Sequence, residues 1–343
     1  MPSLIRALSA TLMLVVTLSA VPLARAADAP CIAASTVCTT WVTLGGGPAR
    51  SLVYTTRPLD ARSERVKRAL VVIHGLGRNA DNYFRSAVAA AFLADALEDT
   101  IVIAPRFAAN DGAACKDVLA ADEINWTCTG RNWRAGGTAA GAAGPTSFDL
   151  ADEILRRLTR KDVFPLLASI VVAGHSAGGQ FVTRYQMANQ VDGALGVPVT
   201  YVVANPSAHP YLDNERPVAA SADYRPYADG VNCTTFDNWP YGLKDRWGYA
   251  AKIGDEQLRK QLLARPVTYL LGGLDTLPLA GFDASCPAMA QGPHRLGRGQ
   301  AFAAYLKQRY ATEQKVVVVA LCGHNARCMF TADPALPVLF PKP

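Results

Sequence analysis

The sequence predicts an α/β fold in which a mostly parallel β-sheet carries helices on both faces. Short runs of apolar, β-favouring residues recur along the chain, and segments with helical periodicity lie between many of them. Strands that alternate with helices are typical of a parallel sheet covered on both sides. The predicted strands are 41–44, 51–55, 69–73, 100–104, 169–173, 199–204, 267–271 and 315–320, and the predicted helices are 82–97, 147–159, 178–189 and 299–310.

Residues 1–26 have the pattern of a cleavable signal peptide. Arg6 precedes an apolar stretch over residues 7–23, and Ala-Arg-Ala then ends the segment as a cleavage signal. An uncleaved membrane anchor is the alternative, but polar residues dilute a segment barely long enough to cross about 30 Å of hydrocarbon. We expect export to the periplasm or the medium, with no stable membrane anchor after cleavage. Residues 27–343 are expected to form a single domain.

Composition and charge exclude several classes of partner. The formal net charge is +6, from 34 Lys and Arg against 28 Asp and Glu, and no basic cluster is present. This mild excess gives little reason to expect nucleic acid. The five histidines are scattered and form no metal-binding spacing with other ligands. We therefore expect no metal site, and nothing in the sequence indicates an oligomeric state.

The eight cysteines indicate disulfides. All eight follow residue 26 and would remain after cleavage. An even number of cysteines in a chain predicted to enter an oxidising compartment favours pairing. A structural zinc site is disfavoured because no CxxC pair is present. The order of the cysteines suggests four local pairs: Cys31 with Cys38, Cys115 with Cys128, Cys233 with Cys286, and Cys322 with Cys328.

Two connections, residues 107–145 and 206–256, are too long to be ordinary turns. Loops of this length in a compact domain tend to be functional, and the aromatic residues and cysteines argue that these insertions are ordered. We expect them to wall the active-site cleft, where Trp126, Trp133 and Trp239 could stack on a substrate. The alternative is that the aromatic residues pack the insertions onto the body of the protein.

A G-x-S-x-G motif connects a predicted strand to a predicted helix. Residues 169–173 form the strand, Ser176 lies between Gly174 and Gly178, and the helix follows. A serine held on a sharp turn at a strand end needs neighbours without bulk, and its hydroxyl then points outward. Ser176 is therefore the predicted nucleophile. The alternative is a simple glycine-bearing turn.

A serine nucleophile needs a base, and the base needs an acid that orients it. Asp275 follows the strand predicted at 267–271, and His324 follows the last strand. We predict Asp275 as the acid and His324 as the base. Asp283 is a competitor for the acid, but no obvious strand precedes it. His209 and His294 lie away from predicted strand ends and are expected to be surface or structural residues.

The order Ser, Asp, His together with this motif resembles the α/β-hydrolase superfamily, and the resemblance extends from about Trp41 to the last strand-helix unit. The string His74-Gly75-Leu76 after an early strand looks like the oxyanion loop of that family. The resemblance implies an oxyanion hole made by the backbone N–H groups of Leu76 and Ala177. It also implies an α/β-hydrolase fold, with exported esterases of the polyhydroxybutyrate-depolymerase or feruloyl-esterase kind as the nearest comparison.

The function implied is an exported serine hydrolase that cleaves a small or polymeric carboxylic ester through an acyl-enzyme, without a cofactor. A serine peptidase, amidase or acyltransferase on the same fold is the alternative within the enzymes, since fold alone does not fix the reaction. A non-catalytic exported binding protein is the alternative from another class.

Overall fold

Eight strands form one sheet, and a small hairpin lies apart from it. The computed structural model describes residues 29–112, 114–128, 130, 132–141, 144–218, 223–279 and 281–342. The strands are β1 (Thr39–Thr43), β2 (Arg50–Thr55), β3 (Arg68–Ile73), β4 (Thr100–Pro105), β5 (Ser169–His175), β6 (Val199–Ala204), β7 (Glu215–Pro217), β8 (Tyr224–Pro226), β9 (Val267–Gly272) and β10 (Lys315–Val319). The strands of the large sheet lie in the order β1-β2-β4-β3-β5-β6-β9-β10.

The sheet is mostly parallel, as predicted. β1 pairs antiparallel with β2, and β2 pairs antiparallel with β4. From β4 to β10 every neighbouring pair is parallel. The carboxyl ends of β5, β9 and β10 consequently meet at one edge, which is where parallel α/β sheets build their sites.

The helices are α1 (Ala80–Leu93), α2 (Ser147–Leu158), α3 (Ala177–Ala188), α4 (Asp255–Ala264), α5 (Cys286–Met289), α6 (Arg295–Tyr310), α7 (Ala326–Thr331) and α8 (Leu336–Leu339). The first helix was predicted at 82–97, so its predicted start lies two residues after the observed start and its predicted end four residues after the observed end. Helix α6 begins four residues earlier than predicted, and α4 was not predicted at all.

Alternate residues of the central strands enter two separate hydrophobic clusters, as the period of two in a strand requires. On one face, Val71 and Val172 pack with side chains of α2, α3, α4 and α6. On the other face, Val72 and Val171 pack with side chains of α1, α7 and α8. The prediction of helices on both faces is therefore confirmed.

Four disulfides join the cysteines in the predicted pairs. Cys115–Cys128 closes a loop within the first insertion, and Cys233–Cys286 ties the second insertion to the start of α5. Cys31–Cys38 lies just before β1, and Cys322–Cys328 bridges the segment between β10 and α7. The expected stapling of the insertions is therefore present.

The predicted signal peptide, residues 1–26, lies outside the described residues. Within the residues that the structure does describe, no helix has the length and apolar character needed to cross a membrane.

Candidate active site

Ser176 occupies a strained turn between β5 and α3. Its backbone angles are φ 60° and ψ −119°, a region that non-glycine residues rarely adopt and that tends to occur at functional sites. The flanking glycines are sterically required. A Cβ at Gly178 would lie 2.1 Å from the Ile73 carbonyl oxygen, and one at Gly174 would lie 2.3 Å from the Gly178 carbonyl oxygen. The turn can therefore form only with glycine at both positions.

The structure brings the predicted acid, base and nucleophile together. His324 Nε2 lies 2.9 Å from Ser176 Oγ, and His324 Nδ1 lies 2.8 Å from Asp275 Oδ2. Asp275 follows β9 and His324 follows β10, so the parallel pairing of these strands sets the two loops side by side. This geometry lets the imidazole take a proton from the serine while the carboxylate orients it.

The loop that carries His324 is fixed from two directions. The Cys322–Cys328 disulfide closes it between two cysteines with a sequence separation of 6. From the sheet, the Asn205 side chain donates to the Gly323 carbonyl oxygen at 3.2 Å and accepts from the Gly272 N–H at 2.7 Å. Asn205 lies at the end of β6 with φ 44°. Asn205 was not predicted from the sequence, because the general tolerance of asparagine for the left-handed conformation gives no specific signal.

A buried arginine flanks the predicted acid. Arg295 Nη1 lies 3.5 Å from Asp275 Oδ1, and both side chains are completely buried. The Nε of Arg295 donates to Ser207 Oγ at 2.7 Å, which fixes the guanidinium. Burial lowers the pKa of Arg295, and the Asp275 charge opposes that shift. Arg295 was not predicted from the sequence either, because a charged residue at the start of a helix is normally exposed.

The loop after β3 is braced by His74. Its Nδ1 donates to the Gly75 carbonyl oxygen at 2.8 Å, and its Nε2 accepts from the Phe107 N–H at 3.1 Å. Both bonds require the neutral ring, and burial lowers the pKa of His74 to about 4. A Cβ at Gly75 would lie 3.7 Å from the Ser176 Cβ, so this loop passes beside the serine.

The two amides expected to form the oxyanion hole belong to the residues that follow Gly75 and Ser176. Leu76 follows Gly75 in the braced loop, and its side chain lines the same cleft as Ser176. Ala177 is the first residue of α3, where backbone N–H groups lack intrahelical acceptors. Neither N–H group donates to another of the described residues.

His175 contacts the base without competing for its role. Its ring centroid lies 4.7 Å from that of His324, and its Nδ1 is 3.1 Å from the Tyr83 hydroxyl oxygen. Burial, together with the charges of His324 and Arg295, holds the pKa of His175 well below its usual value. The ring is consequently neutral near pH 7 and places no charge against the imidazolium that His324 would become.

Ser176 and His324 open into a cleft of about 640 Å³. Its walls come mainly from the loop after β3, from the first two turns of α1 and from residues 325–327. The expectation that both long insertions wall this cleft is wrong: of their described residues, Ala114 alone lines it. The insertions instead line a second cavity, with four residues from each.

The three tryptophans predicted as substrate contacts are buried. Trp126 donates to Ser51 Oγ and packs edge-on against Phe107, and Trp133 stacks on the same phenylalanine. Both are 1% exposed, so neither ring has a face free for a substrate. This corrects the expectation for these two and agrees with the packing alternative. Trp239 is also buried, but it lines the second cavity.

The remaining candidates have structural partners. Asp283, the competitor for the acid, accepts from the hydroxyls of Tyr241 and Ser285 at 2.7 and 2.6 Å. His209 is buried and stacks on Phe302. His294 caps α6, where its Nδ1 accepts from the Gly297 N–H. Among the described residues no group of three or more His, Cys, Asp or Glu side chains is placed to hold a metal ion.

Comparison with known proteins gives a family and a fold. A model of the alpha/beta hydrolase family matches residues 70–338. No curated protein sequence matches the chain. Among solved structures, LpqC, a poly(3-hydroxybutyrate) depolymerase from Bordetella parapertussis, is 19% identical with a TM-score of 0.57, over 87% of each chain.

A second solved structure is similar over nearly its whole length. It is poly(aspartic acid) hydrolase-1 from Sphingomonas sp. KT-1, which is 25% identical with a TM-score of 0.59, over 85% of this chain and 94% of that one. The family model covers far more than half of the sequence, including the positions of Ser176, Asp275 and His324. The chain therefore belongs to the alpha/beta hydrolase family.

Proposed function

We propose that the protein is an exported serine hydrolase that cleaves a carboxylic ester through an acyl-enzyme. The observation that carries the proposal is the unbroken series of short contacts from Asp275 through His324 to Ser176, at 2.8 and 2.9 Å. Family membership supports hydrolysis in general. The contacts support a serine mechanism in particular, because a serine hydroxyl needs a positioned base to attack a carbonyl at neutral pH.

In the first half of the reaction, Ser176 Oγ attacks the ester carbonyl carbon while its proton passes to His324 Nε2. Asp275 Oδ2 accepts the Nδ1–H of the resulting imidazolium and stabilises its charge. The tetrahedral intermediate collapses, the bond to the alcohol oxygen breaks, and His324 returns the proton to that oxygen. The alcohol leaves, and the acyl group stays on Ser176.

In the second half, water takes the place of the alcohol. His324 accepts a proton from the water as the water attacks the acyl carbon, and Ser176 leaves with that proton. In both halves, the N–H groups of Leu76 and Ala177 stabilise the negative charge on the carbonyl oxygen. Removing one such donor typically lowers the rate by about 100- to 1,000-fold.

Two observations bear on the substrate. The similarity to a poly(3-hydroxybutyrate) depolymerase supports an ester, small or polymeric, although at this identity it establishes only a shared fold. The similarity to a poly(aspartic acid) hydrolase favours an amide as the second candidate, since the same residues can cleave an amide bond. The ester is the first candidate, and p-nitrophenyl esters with matched p-nitroanilides distinguish it from the amide.

The compartment is part of the proposal. Four disulfides support an oxidising environment, where such bonds persist. The signal pattern in residues 1–26 supports export as the route to that environment. Expression with and without these residues, followed by mass measurement of the exported protein, tests cleavage before Ala27.

The deciding experiment measures hydrolysis of p-nitrophenyl esters by the protein and by S176A. We expect kcat to fall by roughly 10,000-fold or more in S176A, because the triad acts as a unit. The matched control is S169A, which removes a hydroxyl at the opposite end of β5. Equal activity of wild type and S176A would contradict the proposal. Matched p-nitroanilides then report the preference for ester over amide.

A further inference from the structure

A second cavity lies beside the cleft and has no part in the proposed reaction so far. It has a volume of about 300 Å³, and we call it the side cavity. Its lining combines two arginines, a set of polar side chains and three large aromatic rings. The arginines are Arg134 and Arg184, and the rings are those of Trp239, Tyr241 and Trp247.

The side cavity is built on the same helix as the nucleophile. Gln180 lies one turn after Ser176, and its N–H donates to the Ser176 carbonyl oxygen at 3.0 Å. Arg184 lies one turn further, so the two residues are about 6 and 12 Å from Ser176 along the axis of α3. The loop after β9 borders both spaces, because Gly281 lines the cleft and Asp283 lines the side cavity.

Arg184 is a buried cation that forms no ion pair with the described residues. Its side chain is 1% exposed, and its Nε donates to the Pro240 carbonyl oxygen at 3.0 Å. Its Nη2 is buried with no hydrogen-bond partner, and no carboxylate of the described residues forms an ion pair with it. Burial lowers the pKa of Arg184 to about 9, and the more distant charge of Asp283 partly opposes that shift, so the guanidinium stays charged at pH 7. Buried charges in proteins are normally paired, which makes this one an incomplete site.

Arg134 adds a second guanidinium to the same cavity. Its Nε donates to Asn132 Oδ1 at 3.1 Å, and its Nη1 donates to Gln180 Oε1 at 3.4 Å. The one carboxylate in the lining, Asp283, already accepts hydrogen bonds from Tyr241 and Ser285. The cavity therefore holds two cations against one occupied carboxylate, and its excess charge is positive.

We propose that the side cavity binds a carboxylate group of the substrate, held by Arg184 and Arg134. Guanidinium groups match the planar, two-oxygen geometry of a carboxylate. The rings of Trp239, Tyr241 and Trp247 provide an apolar wall for the part of the molecule that joins the carboxylate to the bond being cleaved. This inference rests on the proposed function and narrows its substrate to esters or amides that also carry an acid.

The test compares pairs of esters that differ in one terminal group. Mono-p-nitrophenyl esters of succinate, adipate, suberate and sebacate are compared with the butyrate, hexanoate, octanoate and decanoate esters. We expect kcat/KM to favour the acidic member of a pair, and to do so more for adipate and longer chains than for succinate, because the chain must reach past Gln180.

The variant R134Q links this preference to the side cavity. We expect it to lower kcat/KM for the preferred acidic ester by about 10-fold, the effect of losing a hydrogen bond to a charged group, while the matched neutral ester is unaffected. R184Q should likewise lower kcat/KM for the acidic ester alone. Because Arg184 is buried, R184Q can fail to fold, and R134Q then provides the test. R160Q, an exposed arginine paired with Asp162, is the matched control. No preference in the wild type, or an equal loss on both esters in R134Q, overturns the proposal.

Binding to S176A separates this proposal from the proposed function. Suberate is titrated into S176A by calorimetry, with 1,8-octanediol as the uncharged control. We expect saturable binding of suberate that weakens by about 10-fold in S176A/R134Q. If no ester is cleaved and suberate still binds in this way, the proposed function fails and the carboxylate site stands. If suberate binds but the wild type prefers no acidic ester, the site takes a free carboxylate and the substrate proposal fails. Absence of binding overturns the site itself.

Discussion

Arg295 Nη1 lies 3.5 Å from Asp275 Oδ1, and neither side chain has exposed surface. The other oxygen of the same carboxylate lies 2.8 Å from His324 Nδ1. The carboxylate of Asp275 is thus held between a fixed cation and the imidazole. Because one oxygen of the carboxylate faces Arg295, the other oxygen can accept the hydrogen bond of the imidazole in only one orientation of the Asp275 side chain.

We expect R295Q to lower kcat more than it changes KM, because Arg295 acts through Asp275 and His324. A small displacement of a reacting group can reduce the rate by roughly 10- to 100-fold. Removing one partner of a buried ion pair should also lower the free energy of unfolding by about 3 kcal/mol. Steady-state kinetics on p-nitrophenyl esters and urea unfolding measure the two effects.

The matched control for R295Q is R298Q. Arg298 lies one turn further along α6 and is equally buried, but it donates to the carbonyl oxygens of Gly292 and Ser207. R298Q should lose stability and keep a kcat near that of the wild type, and R295K should recover part of the lost kcat. An equal fall in kcat for R295Q and R298Q would show that Arg295 is merely structural.

We expect G178A to reduce both stability and kcat. In an ordinary helix, alanine is more favourable than glycine by about 1 kcal/mol. Here the new methyl would lie 2.1 Å from the Ile73 carbonyl oxygen, so the strand and the helix must separate. Overpacking of this kind costs about 1–3 kcal/mol. Urea unfolding and kcat are compared with G193A, where a Cβ meets no atom within 4 Å. A neutral G178A would contradict the steric argument.

The buried His209 should make the protein less stable in acid. Burial lowers its pKa from 6.5 to about 3 in the folded chain. Between these values the unfolded chain binds more protons, so the free energy of unfolding falls as the pH decreases, by about 1.4 kcal/mol per pH unit for this group. The contribution is fully present above pH 6.5 and is lost progressively as the pH falls toward 3.

The variant H209F removes this titration and keeps the stacking on Phe302. We expect the loss of stability between pH 7.5 and 5 to be smaller in H209F than in the wild type by about 2 kcal/mol. Urea unfolding at the two pH values measures it. The same pH dependence in both proteins would show that His209 binds a proton equally well in the folded and unfolded states.

Removing the Cys322–Cys328 disulfide should affect activity more than removing Cys31–Cys38. The two bridges close loops of similar length, with sequence separations of 6 and 7, so the double alanine variants should lose similar stability, about 2 kcal/mol. Of these two bridges, only Cys322–Cys328 holds the loop that carries His324. Equal kcat values for the two variants would contradict a positioning role for Cys322–Cys328.

Much of this molecule could be predicted from its sequence, because apolar runs and motif glycines report directly on burial and backbone shape. The large-sheet strands were placed to within about two residues, since each has the apolar side chains that a covered sheet requires. The contacts among Ser176, His324 and Asp275 follow from their positions at the end of β5 and in the loops after β10 and β9.

Other features depend on tertiary contacts that leave no local pattern. Helix α4 was missed because only Leu258 and Leu262 of its ten residues are buried. The hairpin of β7 and β8 was missed because its strands have only three residues each. Arg184 and Arg295 were overlooked because arginine is normally exposed, and their burial results from loops distant in the sequence.

Helix α3 has no solvent-exposed residue from its first position to its last. Selection therefore has little freedom there, since nearly any substitution would disturb the interior on several sides at once. The walls of the cleft and the side cavity come largely from connecting segments, which tolerate change. Relatives that act on different molecules should consequently diverge in those segments and at Gln180 and Arg184, the two α3 positions that line the side cavity. The rest of α3 should stay similar and should therefore help to align distant members.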